Sequence, residues 1–64
     1  MTMTIEKLVD LGIINDTTEI YIRDMSFGLI TKGSWFQDNV LEHIKDEIDS
    51  YTWQDDNRIY VDLK

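Results

Sequence analysis

The segment Ser34-Trp35-Phe36-Gln37-Asp38-Asn39-Val40-Leu41-Glu42-His43-Ile44-Lys45-Asp46-Glu47-Ile48-Asp49-Ser50-Tyr51 constrains the fold of this chain more than any other. Placed at 100° per residue, Val40, Leu41, Ile44, Ile48 and Tyr51 form one apolar stripe, with Asp38, Glu42, Asp46 and Asp49 in a carboxylate row roughly opposite. Ser34 followed three residues later by Gln37 fits a capping box, and Asp38 falls where the helix dipole favours an acid. The spacing therefore predicts one main helix over residues 34–51, with one face packed and the other turned to water or a partner.

The rest of the chain is read around that helix. Thr4 is placed to cap a short helix carrying Ile5, Leu8 and Val9 on one side, and Gly12 stands where a left-handed C-cap belongs. Asn15-Asp16-Thr17 is turn chemistry. Residues 19–24 alternate Ile20 and Ile22 with Tyr21 and Arg23, the period of a half-buried strand. A break at Ser26 to Gly28, with Gly28 supplying freedom in φ, leads into Leu29-Ile30-Thr31-Lys32 and predicts a hairpin. Asp55-Asp56-Asn57 reads as a turn before a last strand, Arg58 to Leu63, and Thr52 to Gln54 can pair with that strand. The expectation is one α+β domain over residues 1–64. A small antiparallel sheet of three or four strands packs against one main helix, in the order α-β-β-α-β, with one extra short strand allowed.

A domain of 64 residues buries only about 60% of the surface its unfolded chain exposes, so one small core is all it can build. Without Cys, neither disulfides nor thiolate metal sites support that core. No apolar run approaches the roughly 20 residues of a membrane-spanning helix, and the expected setting is cytoplasmic. Thirteen acids against six Lys and Arg give a net charge of −7, which argues against direct binding to nucleic acid or an anionic membrane and for a basic protein partner. Residues 38–64 hold eight of the acids and three of the bases, so the charge is concentrated in the second half.

Catalysis needs a nucleophile with a base or a poised acid pair, and the single histidine, His43, has only neighbouring carboxylates. His43 and Glu47 lie four residues apart, but a structural zinc site needs four ligands, and Asp55-Asp56-Asn57 lacks the spacing of a calcium loop. No enzyme, metal or cofactor is expected. The candidates for partner binding are the carboxylates Asp38, Glu42, Asp46, Asp49, Asp55 and Asp56 and the aromatics Trp35 and Trp53. On a helix, acids at i and i+4 lie about 6 Å apart, near the separation of successive phosphates on one nucleic-acid strand.

A short, acidic, cysteine-free chain that opens with a small helix and then a strand such as Asp16-Thr17-Thr18-Glu19-Ile20-Tyr21-Ile22-Arg23-Asp24 resembles the small accessory proteins of bacteriophages. In character it is most similar to anti-CRISPR inhibitors. That resemblance implies a non-enzymatic inhibitor or modulator in a bacterial host, binding a basic surface of a nuclease or other nucleic-acid-handling protein as a DNA mimic. The alternative is a structural or assembly module that forms a homodimer, with its acidic charge serving solubility.

Overall fold

The Thr4 hydroxyl accepts from the Lys7 N–H at 3.1 Å and caps α1, Ile5–Asp10, in the computed structural model, which describes residues 3–64. Gly12 at φ 79° ends that helix, and the amides of Ile13 and Ile14 fold back onto the Leu8 carbonyl at 2.9 and 3.2 Å. This return seals Ile14 over the last turn. The Asn15 carboxamide then accepts from Thr17 N–H, Thr17 Oγ1 and Thr18 Oγ1, locking the turn into the sheet.

Four strands follow: β1 Glu19–Arg23, β2 Leu29–Gly33, β3 Ile48–Trp53 and β4 Arg58–Leu63, with α2, Asp38–Leu41, between β2 and β3. Their spatial order is β2-β1-β4-β3. The two outer pairs are antiparallel hairpins, while the central strands β1 and β4 run parallel, pairing Ile20 with Ile59 and Ile22 with Val61. Both central strands bury alternate residues, and Ile20, Ile22, Ile59 and Val61 are fully enclosed by Ile5, Leu8, Ile14, Val40 and Ile48. Since α1 and α2 both contribute to this cluster, both lie on the same face of the sheet.

This architecture corrects the expected fold. The sheet is mixed where an antiparallel one was expected, the order is α-β-β-α-β-β, and no main helix packs against it. Residues 34–51 divide into a turn, the four-residue α2, a second set of turns and the first part of β3. The apolar spacing at Ile44, Ile48 and Tyr51 suited a helix, but Ile, Tyr, Thr and Trp in residues 48–53 also suit a strand. Only the strand has a partner: the turn at residues 54–57 brings β4 alongside, and β3 then completes a ladder on it. A lone helix gains little unless a tertiary face stabilises it. After Leu41 the chain tightens instead, with His43 N–H on the Val40 carbonyl at 2.9 Å and Ile44 N–H on the Leu41 carbonyl at 3.2 Å. The Ser34–Gln37 signal survives in half: the Gln37 side chain accepts from the Ser34 N–H at 3.0 Å, closing a turn that precedes α2. Gly33, at φ 149°, ends β2 beneath the Gln37 side chain, where a Cβ would collide with the carboxamide.

Candidate functional site

Among the described residues, the β1–β2 hairpin is the most exposed apolar part. Asp24 builds its loop: its N–H donates to the Gly28 carbonyl at 2.9 Å, and its carboxylate accepts from the Ser26 and Gly28 amides at 2.8 and 3.0 Å. The left-handed position of this loop falls on Phe27, at φ 64°, and not on the neighbouring Gly28. A left-handed conformation costs an L-residue about 1–2 kcal/mol, and glycine is the usual occupant. Gly28 serves instead to let the backbone close over Asp24, since a Cβ there would sit 3.2 Å from its carboxylate.

Phe27 nevertheless stands 67% exposed, beside Met25 at 78%. Leu29 and Ile30, exposed at the start of β2, extend the same apolar surface. Ile30 is the extra residue of a bulge opposite Ile22 and Arg23. An open groove is lined by Met25, Phe27 and Leu63 together with Asp24, Asp49, Asp62 and Lys64. Glu47 holds Lys64 at 2.9 Å and raises its pKa.

Behind the loop lies the sheet face that neither helix covers. Arg23 is its hub: the guanidinium forms a two-point pair with Asp62, and its Cζ lies 4.5 Å from the Tyr60 ring centre and 5.2 Å from that of Phe27. Tyr60 meets Tyr21 edge to face at 5.2 Å, and Glu19 beside Tyr21 raises the pKa of its hydroxyl. Phe27 is therefore supported from beneath by a cation that is itself fixed.

The residues singled out from the sequence fall into two groups, with Trp35 apart from both. Asp38 begins α2 and Glu42 caps its C-terminal end, and Asp46 lies in the turns beyond, 2.8 Å from His43 Nδ1. Asp49 and Trp53 belong to β3, and Asp55 and Asp56 to the turn that follows it. Trp53, Asp55 and Asp56 line one shallow depression, and Asp49 borders the Phe27 groove. The even helical spacing expected of the carboxylates does not arise, because residues 42–53 are not helical. Trp35 is half-buried against the core, and its indole donates to Asp16 at 2.9 Å. Trp53 stays exposed at 41%. Sequence reasoning passed over Met25 and Phe27. The available signal was a Phe immediately before the glycine of a predicted turn, where a polar residue is the ordinary choice.

Compared with protein-family models, with curated proteins and with solved structures, the chain matches none of them. Among the described residues, no helix is long and apolar enough to cross a membrane.

Proposed function

We propose that this protein is a non-enzymatic binding module that docks on another protein through the β1–β2 hairpin, with Phe27 as its anchor. The observation that carries the reading is Phe27 itself, an exposed aromatic ring held at φ 64° on a loop that would be easier to close with glycine. Anchors at protein interfaces are enriched in aromatic residues that enter a pocket on the partner. The partner's chemistry follows from the charged residues of the groove. Asp24 and Asp49 border the groove and the whole chain carries −7, so the fitting surface is an apolar pocket flanked by Lys or Arg. An acidic inhibitor covering the basic surface of a nucleic-acid-handling protein in the cytoplasm of a bacterial host is one instance of this class.

Photocrosslinking tests this reading. A photoreactive phenylalanine analogue replaces Phe27 in one sample and the comparably exposed Leu11, at the end of α1, in another. The reading predicts one protein captured from position 27 and not from position 11, with the crosslink beside Lys or Arg residues. The same mixture of proteins captured from both positions would contradict it.

A further inference from the structure

The two outer strands treat their edges differently. Along β2, Asn39 of α2 donates to Thr31 Oγ1 at 2.6 Å and to the Lys32 carbonyl at 2.8 Å, and the bulge at Ile30 distorts the other end. β3 is bridged at its start, where Thr4 pairs with Glu47 and the Ile48 N–H donates to the Met3 carbonyl at 2.8 Å. Farther along, the Gln54 N–H donates to the carbonyl of Arg58 directly opposite, at 2.8 Å. Antiparallel pairs alternate between bonded and non-bonded, so Thr52 and Ser50 turn their backbone groups toward β4 while Tyr51 and Trp53 turn theirs away from it. The side chains of Tyr51 and Trp53 flank Val61 and Ile59 on the helix-bearing face, 38% and 41% exposed.

We propose that this edge of β3 receives an extended, basic segment of the partner as a fifth strand, bonded to the backbone of Tyr51 and Trp53. The proposal rests on the reading of the protein as a binding module and adds a second point of contact, on the opposite side of the sheet from the hairpin's own edge. Strand addition draws affinity from main-chain hydrogen bonds and selectivity from alternate side chains, here against the two aromatic rings. Charge selects a basic occupant. Asp49 stands at one end of the open stretch and Asp55 and Asp56 at the other, and the nearby Arg58 is drawn to Asp55 at 3.8 Å. A second copy of this chain fits less well. Two-fold pairing centred on Thr52 would set Asp49 of each copy against Asp55 of the other and join two chains of charge −7.

The probe is a peptide of alternating Lys and Val, with a Glu and Val peptide as counterpart, titrated into the full chain and followed by amide exchange and Trp fluorescence. The Lys peptide should bind at least about tenfold more tightly than the Glu peptide and slow exchange at Tyr51 and Trp53. Tyr51→Pro removes an outward N–H without touching the bonds to β4, and should weaken binding about tenfold, whereas Tyr51→Val keeps the donor and should stay within about threefold of the parent. Leu11→Ala, at the exposed end of α1 and away from both the hairpin and β3, should leave this peptide's binding unchanged, and because the peptide assay needs no hairpin partner, failure here is separable from failure of the hairpin reading. Equal binding of the two peptides, or unaltered exchange at Tyr51 and Trp53 in the parent protein, would overturn the proposal. So would self-association of the peptide-free protein that Tyr51→Pro abolishes, because a second copy would then occupy the edge.

Discussion

Arg23 and Asp62 face each other across the two central parallel strands, with Nε 2.7 Å from Oδ1 and Nη2 3.1 Å from Oδ2. The pair is largely shielded, at 24% and 10% side-chain exposure, and Ser50 Oγ adds a bond to Asp62 at 3.3 Å from the far side. One carboxylate thus ties β1, β4 and β3 together and holds the guanidinium beneath Tyr60 and Phe27. Asp62→Ala should lower stability by about 1.5–3 kcal/mol, the usual range for a shielded bond to a charged group. Urea unfolding measures this, and a loss below about 0.5 kcal/mol would show the pair to be ornamental.

Core and surface apolar residues should respond very differently. Ile22→Ala empties a fully buried site on a central strand and should cost about 2–5 kcal/mol, enough to unfold much of a domain this small. Leu41, on the apolar stripe of the expected helix, is 39% exposed, and Leu41→Ala should cost under about 1 kcal/mol. Ile22 is buried in either packing and serves as the reference, so the thermal melt of Leu41→Ala decides between the observed packing and the helical one.

Amide exchange distinguishes strand from helix in residues 48–53 directly. With β3 at the edge of the sheet, the Thr52 and Gln54 amides should be protected and those of Tyr51 and Trp53 should exchange quickly. Uniform protection from Ile48 to Tyr51 would restore the helix.

Much of the fold was legible where the signal is local. Thr4 as a cap, Gly12 as a left-handed C-cap, the β1–β2 hairpin and the strand from Arg58 to Leu63 all follow from residues within a few positions of one another. The failure at residues 34–51 is of another kind. Ile44, Ile48 and Tyr51 satisfy a helical period, and what makes residues 48–53 a strand is β4, whose own position depends on parallel pairing with a strand some forty residues earlier. No local pattern encodes that pairing. The placement of the candidate residues was legible in the same uneven way. Asp49, Trp53, Asp55 and Asp56 fall together along β3 and its turn, although they were chosen partly as members of a helix. Phe27 was missed because Gly28 looked like the residue that would take the left-handed position.

If charge draws the partner in and Phe27 retains it, the two should separate kinetically. Raising ionic strength from about 0.05 to 0.3 M should slow association severalfold, while dissociation changes little. Surface plasmon resonance with the crosslinked partner measures both, and a salt effect confined to dissociation would mean that the acids are buried in the contact.

The most direct test of the hairpin as a docking element is Phe27→Gly, measured for stability and affinity in the same preparation. Glycine relieves the left-handed strain, so the variant should melt no lower than the parent and gain up to about 1 kcal/mol, while affinity for the partner falls by at least about a hundredfold, as for an interface anchor. A variant that binds as well as the parent, or one that loses affinity only because it has lost its fold, would contradict the account.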